Sequence, residues 1–179
     1  MMGQDPLQII IRPAVPSDAE GFLQLTDEVA DETDFLNFGP GEFGLTVEQE
    51  REFLEYVSQS TGELCLVAEL NGQIIGNLTF RCGTMSRTAH TGEFGVMVAK
   101  RFWGMGIGKK LVQNMLDWAK NSTEGQIRKI SLTVRADNER AIRLYENVGF
   151  EREGCLRREV FIDGRFYDAI QMSCLIDPE

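Results

Sequence analysis

Residues 96–109 read VMVAKRFWGMGIGK. Its apolar start predicts a buried β-strand, and a G-x-G-x-G turn follows directly before the apolar spacing of a helix. Glycine lets the backbone turn tightly and approach a ligand because it carries no Cβ. Several backbone N–H groups then meet at a helix N-terminus, which carries partial positive charge. The stretch therefore predicts a strand–turn–helix unit that binds phosphate.

Two well-known phosphate-binding motifs do not fit this turn. A Walker loop has four residues between its first glycine and a Gly-Lys pair, and Ser or Thr follows the lysine. Here three residues separate Gly104 from Gly108, and Lys110 follows Lys109. The dinucleotide fingerprint G-x-G-x-x-G also fails by one residue. A nucleotide-binding protein is therefore disfavoured, although the turn alone does not identify the ligand.

A second motif lies further along the chain, where residues 138–150 read NERAIRLYENVGF. Together the two motifs resemble the GNAT acetyltransferase superfamily, whose pattern is strand, V-x-x-x-x-(Q/R)-G-x-G-x-G, helix, strand and N-x-x-A-x-x-L-Y-x-x-x-G-F. The resemblance covers residues 92–174 well and residues 9–83 more loosely. Trp103 stands where the common motif has Gln or Arg, unless a shifted register places Arg101 there.

The tail of the chain narrows the resemblance. Residues 153–157 read EGCLR and residues 163–168 read DGRFYD, and both segments, like the Trp103-Gly104 pair, are similar to the ribosomal-protein and related amino-terminal acetyltransferases. This branch of the superfamily uses acetyl-CoA as co-substrate and needs no metal. The resemblance therefore implies transfer of an acetyl group to an amine.

The resemblance also implies where acetyl-CoA binds. Backbone N–H groups of the turn would hold the pyrophosphate, and the preceding strand would line the pantetheine arm. In this family that strand splays from the strand that starts near Ile127, often at a bulge; a plain buried strand is the alternative. Asn138 either caps the next helix or lies near the cofactor arm. The implied cofactor-binding residues are Val96, Met97, Val98, Trp103, Gly104, Met105, Gly106, Ile107, Gly108, Lys109 and Asn138.

Two residues are candidates for catalysis. By the resemblance, Tyr145 protonates the leaving thiolate or hydrogen-bonds its sulfur, and a phenol can donate at neutral pH. The alternative is a core tyrosine on an apolar helix face. Glu93 is the candidate base, acting through water on the substrate ammonium; the alternative is a solvated carboxylate at a strand end. No cysteine has an activating neighbour in sequence, which favours direct attack in a ternary complex over an acetyl-cysteine route.

The whole sequence predicts a mixed α/β fold. Apolar periodicities and turn signals give the element order β-α-α-β-β-β-α-β-α-β-β. An Asn71-Gly72 turn between two apolar runs is a strong hairpin signal. We expect one N-acetyltransferase domain over residues 1–179, with residues 1–8 flexible. Its central sheet should be mostly antiparallel, splayed at the cofactor strand and flanked by helices. The closing hairpin leaves a sheet edge through which a homodimer could form.

Composition excludes several classes of protein. The net charge of −10 argues against a nucleic-acid binder, which needs a basic face. No apolar run approaches the ~18 residues of a membrane span, and the N-terminus lacks a signal-peptide pattern, so we expect a cytoplasmic protein without membrane contact. The single histidine, His90, excludes zinc sites that need two histidines and is expected in a loop or at a strand edge.

Acidic residues are concentrated near the N-terminus, where no Lys or Arg occurs between Pro13 and Glu50. In the resembling family, the first two helices and their loop form one wall of the acceptor cleft. A wall of one sign attracts ligands of opposite sign. We therefore expect a cationic small amine or a protein N-terminus as acceptor, unless these acids only solvate a helix. The acids in question are Asp27, Glu28, Asp31, Glu32, Asp34 and Glu42.

A non-catalytic CoA-binding sensor or interaction module on the same fold is the alternative function.

Overall fold

The computed structural model describes residues 8–121 and 127–176. Apart from Gln8, the N-terminal segment for which the sequence predicts flexibility lies outside the described residues. The element order expected from the sequence is confirmed. The strands are β1 (Ile9–Pro13), β2 (Leu64–Leu70), β3 (Gln73–Cys82), β4 (Thr91–Val98), β5 (Lys129–Arg135), β6 (Glu151–Ile162) and β7 (Arg165–Leu175), and the helices are α1 (Ala19–Glu32), α2 (Val47–Gln59), α3 (Ile107–Asn121) and α4 (Glu139–Asn147).

The strands form one sheet in the order β1-β2-β3-β4-β5-β7-β6. Each neighbouring pair is antiparallel except β4 and β5, which are parallel and joined by the crossover helix α3. The sequence-based fold class is therefore confirmed. One face of the sheet packs under α3 and α4, and the other packs under α1 and α2.

Local chemistry explains the hairpin between β2 and β3. Asn71 and Gly72 have φ angles of 51° and 80°, the left-handed pair that a type I′ turn requires. Leu70 pairs with Gln73 directly across this turn. The hairpin predicted from Asn-Gly is therefore confirmed.

Residues 17–20 have the S-x-x-E form that predicts a helix start at Ser17, but the observed start of α1 differs. Asp18 accepts hydrogen bonds from the Val15 N–H at 2.8 Å and from the Arg12 guanidinium at 2.7 and 2.8 Å. These bonds hold residues 16–18 in a 3₁₀ turn, so α1 begins only at Ala19. The Arg12 guanidinium also lowers the pKa of the Asp18 carboxyl.

The sequence predicts that Thr46 caps the second helix and that Val47 points inward, and the structure confirms the first expectation and corrects the second. Thr46 caps the helix by accepting the Gln49 N–H at 3.2 Å. Val47, expected to point inward, is exposed. The inward stripe instead begins with Glu50, which shares a face with Leu54 and Val57 and is 1% exposed.

Glu50 carries a cost to stability that depends on pH. Its Oε1 has no hydrogen-bond partner among the described residues, and burial raises the pKa of the carboxyl. A raised pKa in the folded state means that stability is full below the unfolded pKa of about 4.3 and is lost as pH rises through the folded value. Glu50→Gln should therefore raise the melting temperature at pH 8 by about 2–4 °C and change it little at pH 4.

Thermal unfolding of Glu50→Gln at both pH values checks this expectation. The exposed Glu52 lies on the same helix, so Glu52→Gln is the matched control and should leave both melting temperatures unchanged. An equal effect of Glu50→Gln at pH 4 and pH 8 would show that Glu50 does not titrate between them.

Candidate active site

A split between β4 and β5 opens the middle of the sheet. The two strands pair only from Thr91–Glu93 to Lys129–Ser131, although β4 continues to Val98 and β5 to Arg135. Beyond Glu93 the strands diverge, as the resemblance implied. The bulge expected at the opening is absent, because β4 pairs with β3 from Gly92 to Val98 without a register shift. The open edge of β4 therefore comes from divergence of the two strands alone.

The glycine-rich turn lies at the end of this split. Gly104 and Gly106 have φ angles of 81° and 77°, which favour glycine, and a Cβ built on either would meet nothing within 4 Å. Within the described part of the chain, no group accepts the backbone N–H of any residue from 104 to 109. The turn therefore presents a run of free donors and an uncovered surface at the start of α3. This geometry fits a phosphate group.

Trp103 and Gly108 differ from the other predicted residues of the turn. The Trp103 N–H donates to the carbonyl of Lys100 at 3.0 Å, so the run of free donors begins one residue later than expected. The Trp103 indole N–H donates to the carbonyl of Val98 at 2.7 Å and fixes the turn to the end of β4. A Cβ on Gly108 would lie 3.4 Å from Leu144, so this glycine allows α3 to pack closely against α4.

The remaining predicted residues of this region lie along the split and the turn. Val96, Met97 and Val98 are half-buried on the open part of β4, and Met105 and Lys109 are exposed. Ile107 is buried in the core under α3. Asn138 caps α4 by accepting the Ala141 N–H at 3.3 Å, so the first of its two expected roles is confirmed.

Tyr145 projects from α4 into the core beside β4. Its ring makes edge contacts with Phe94 and Phe150, at centroid distances of 5.9 and 6.0 Å. Burial raises the pKa of Tyr145 to about 12, so the hydroxyl stays protonated at neutral pH. Tyr145 is a core residue whose hydroxyl makes no hydrogen bond to any described residue.

Glu93 lies at the point where β4 and β5 separate. Side chains alternate along a strand, so Glu93 points to the opposite face from the neighbouring Phe94, against which Tyr145 packs. Glu93 and Gly95 share the α1–α2 face, and a Cβ on Gly95 would meet nothing within 4 Å. Glu93 is exposed, and the space next to it on this face of β4 is open. Tyr145 and Glu93 therefore lie on opposite faces of the same strand at the split.

Arg135 at the end of β5 was not singled out from the sequence. It is 7% exposed and donates to Asp137 at 2.9 and 2.7 Å and to the Asp34 carbonyl at 2.9 Å. Its guanidinium lies 4.5 Å from the Phe35 ring and 4.0 Å from the Tyr167 ring. Arg135 therefore ties the loop between α1 and α2 to β7 and to the segment that enters α4. Only the tertiary structure reveals this role, because Asp34, Phe35 and Tyr167 lie far from Arg135 in sequence.

Residues 29–150 match the model of the Acetyltransferase (GNAT) family, which is more than half of the chain. The chain belongs to the GNAT acetyltransferase family. The resemblance drawn from the two sequence motifs is confirmed.

Relatives and solved structures agree with this GNAT assignment. The L-amino acid N-acetyltransferase AaaT of Escherichia coli (strain K12) is 31% identical over 119 residues, which cover 66% of this chain and 72% of that protein. A spermidine N(1)-acetyltransferase of Vibrio cholerae is 37% identical over 83 residues, 46% of this chain and 47% of the relative. The crystal structure of a GNAT-family acetyltransferase from Streptococcus pneumoniae superposes with a TM-score of 0.90 at 34% identity, covering 94% of this chain and 99% of that one.

The tail motif of this GNAT chain has a structural explanation. Two extra residues of β6 bulge out between Leu156 and Val160, and Arg158 takes a left-handed φ of 56° there. Asp168 holds the bulge, because its carboxylate accepts the Arg158 N–H at 2.8 Å. The Asp168 carbonyl also accepts the Ala136 N–H at 2.8 Å. The motif thus fixes β6 and β7 next to the segment that precedes α4.

Across the described ranges 8–121 and 127–176, no helix is long and apolar enough to cross a bilayer.

Proposed function

We propose that the chain is an acetyl-CoA-dependent N-acetyltransferase that transfers an acetyl group to a primary amine by direct attack in a ternary complex. One observation carries the proposal: the split between β4 and β5 ends at the free N–H groups of residues 104–109 and has Tyr145 packed against its base. A thioester bound along the split supplies the acetyl group. The chain's own residues bind the thioester, expose its carbonyl carbon, take a proton from the acceptor ammonium and donate one to the departing thiolate.

The free donors of the turn would hold the pyrophosphate of CoA. Backbone N–H groups at a helix start are fixed before the ligand arrives, so little ordering is needed on binding. The open edge of β4 at residues 96–98 would then pair with the amide groups of the pantetheine arm, as a strand would. This arrangement directs the thioester toward Glu93, where the two strands meet.

Tyr145 would donate a hydrogen bond to the sulfur of the departing thiolate. With its pKa raised to about 12, the phenol keeps its proton in the resting site. The same apolar surroundings destabilise a thiolate, which raises its affinity for a proton. Donation from Tyr145 therefore compensates the charge that develops on sulfur and accompanies, or is followed by, proton transfer.

Glu93 would act as the base on the acceptor side. An amine attacks only in its neutral form, so a proton must leave the ammonium first. Glu93 faces the open space beside Gly95, where an acceptor could approach β4 from the side opposite Tyr145. A water between the carboxylate and the amine suffices for this transfer.

Two of the four cysteines, Cys65 and Cys174, are unsuited to carry an acetyl group. Burial raises the pKa of Cys65 to about 12, and burial also raises the pKa of Cys174. Neither thiol is therefore a thiolate at neutral pH, and only the thiolate is an efficient nucleophile.

The acidic wall expected from the sequence is smaller in the fold. Four of its six acids engage groups of the chain itself: Glu28 pairs with Arg101, Glu32 accepts the Lys100 N–H, Asp34 pairs with Arg135 and Glu42 accepts the Gly39 N–H. Asp27 and Asp31, one helical turn apart on α1, are exposed and have no such partner among the described residues. Arginine compensates the charges of Glu28 and Asp34, whereas backbone N–H groups leave the charges of Glu32 and Glu42 in place. Asp27 and Asp31 would therefore contribute most to any attraction of a cationic acceptor, because they alone of the six have neither kind of partner among the described residues.

A small cationic amine or a positively charged protein N-terminus is the acceptor class that we propose. The spermidine relative supports a polyamine-like acceptor, and the L-amino acid relative supports an amino-acid-like one. Exposed charges act weakly and are screened within about 8 Å at physiological salt. A dicationic acceptor should therefore show a KM about two- to fivefold lower than a matched neutral-tailed amine at low salt, and the difference should shrink as salt rises.

Asp27→Asn/Asp31→Asn should shrink that difference, while Glu20→Gln at the start of the same helix should preserve it. Steady-state kinetics with both acceptors at two salt concentrations provides the measurement. Equal use of the neutral-tailed amine by the unmodified protein at low salt would remove the acidic wall from recognition.

Acetylation itself is tested by an acceptor screen that detects thiol released from acetyl-CoA. The screen covers polyamines, amino acids, amino sugars and peptides with free N-termini. Amine-dependent thiol release supports the enzyme. Binding of acetyl-CoA without release on any amine would favour the alternative, a non-catalytic CoA-binding sensor or interaction module.

A further inference from the structure

Arg140, in the first turn of α4, stacks on the residue that precedes the glycine-rich turn. Its guanidinium carbon lies 4.8 Å from the centre of the Trp103 ring. Trp103 itself is fixed, because its indole N–H donates to the Val98 carbonyl at 2.7 Å. One helical turn beyond Arg140, Leu144 packs beside Gly108. One face of α4 therefore lies directly over the phosphate-binding turn, with Arg140 at its rim.

The charge of Arg140 is not used within the protein. Two neighbouring arginines have acidic partners: Arg101 pairs with Glu28, and Arg143 pairs with Glu139 at 3.3 Å. Arg140 is exposed and has no ion-pair partner in the described part of the chain. An unpaired arginine at the rim of a phosphate-binding turn is available for an anion.

The contact with Trp103 occupies one side of the Arg140 guanidinium. A guanidinium held over an aromatic ring still donates from the N–H groups that point away from the ring. Those groups match two oxygens of a phosphate monoester, and the contact limits the positions that the side chain takes before a ligand arrives. The pyrophosphate has its own donors in the backbone of residues 104–109, so Arg140 is left for a second, separate phosphate.

We propose that the Arg140–Trp103 stack binds the 3′-phosphate of CoA and makes the protein selective for CoA over 3′-dephospho-CoA. The inference rests on the proposed function in that it takes CoA as the ligand of the turn. It adds a second phosphate site on α4. That site sets selectivity for the nucleotide end of the ligand and takes no part in acetyl transfer.

Calorimetric titration with CoA and with 3′-dephospho-CoA tests the proposal without any acceptor. The unmodified protein should bind CoA about tenfold or more tightly than 3′-dephospho-CoA, as expected for charge-assisted hydrogen bonds to a phosphate. Arg140→Gln should weaken CoA to the affinity of 3′-dephospho-CoA and leave the latter unchanged. Arg143→Gln removes an equal charge from the same helix and should preserve the selectivity.

Each other outcome overturns the proposal in a distinguishable way. Equal affinity of the unmodified protein for the two ligands would mean that the 3′-phosphate is not recognised, while the proposed function stands. If Arg140→Gln weakens both ligands alike, Arg140 supports the turn and does not bind the 3′-phosphate. If neither ligand binds the unmodified protein, both the proposed function and this inference are wrong.

Discussion

Tyr145→Phe is expected to lower kcat by about 10²–10⁴-fold while leaving the Kd for acetyl-CoA nearly unchanged. The substitution removes only the hydroxyl, and the ring contacts with Phe94 and Phe150 stay in place. Because the hydroxyl has no partner among the described residues, its loss should leave the melting temperature unchanged or slightly higher. Steady-state kinetics of thiol release measures kcat, calorimetry measures the Kd for acetyl-CoA, and thermal unfolding measures the melting temperature.

Tyr56→Phe is the matched control, because Tyr56 is 59% exposed on α2 and distant in sequence from both motifs. It should retain normal turnover. Near-normal turnover of Tyr145→Phe would leave Tyr145 as a packing residue and would require another proton donor for the thiolate.

Gly106→Val is expected to raise the KM for acetyl-CoA by about 100-fold or more, because it adds a branched side chain beside the free donors of the turn. Losing several hydrogen bonds to a charged phosphate costs about 1.5–3 kcal/mol each. The substitution also strains the backbone, since residue 106 has a φ of 77°. Comparison of the KM values for acetyl-CoA and for the acceptor shows whether the loss is confined to the cofactor.

Gly72→Val separates strain from ligand binding. Gly72 has a φ of 80° in the β2–β3 hairpin, and a Cβ there also meets nothing within 4 Å. The two variants should lose similar stability, but only Gly106→Val should lose affinity for acetyl-CoA. An unchanged KM in folded Gly106→Val would remove the turn from the cofactor site.

The sequence predicted those parts of the fold that depend on local chemistry. Asn71-Gly72 predicted its hairpin because few residue pairs accept two left-handed conformations. Gly104 and Gly106 predicted the turn for the same reason, and Asn138 predicted the cap of α4. The split between β4 and β5 followed from the family resemblance, since nothing in either strand alone indicates where the two separate.

The parts that were missed depend on contacts between distant residues. Ser17 has the spacing of a cap, but the bonds of Asp18 to Arg12 and Val15 shift the start of α1. Composition indicated an acidic wall, but Arg101, Arg135 and two backbone N–H groups use four of its carboxylates. The roles of Arg135 and Arg140 arise from aromatic rings that lie more than thirty positions away in the chain.

The cofactor site is the claim on which the mechanism and the phosphate selectivity both depend. Thermal unfolding with acetyl-CoA, CoA, ATP and NAD, each at the same series of concentrations, tests it directly. A ligand at 100 times its Kd stabilises the folded state by about 2.7 kcal/mol. We expect acetyl-CoA and CoA to raise the melting temperature in a concentration-dependent manner and ATP and NAD to leave it unchanged. If ATP or NAD stabilised the protein as much as CoA does, or if none of the four ligands stabilised it, the split and its glycine-rich turn would not be the acetyl-CoA site.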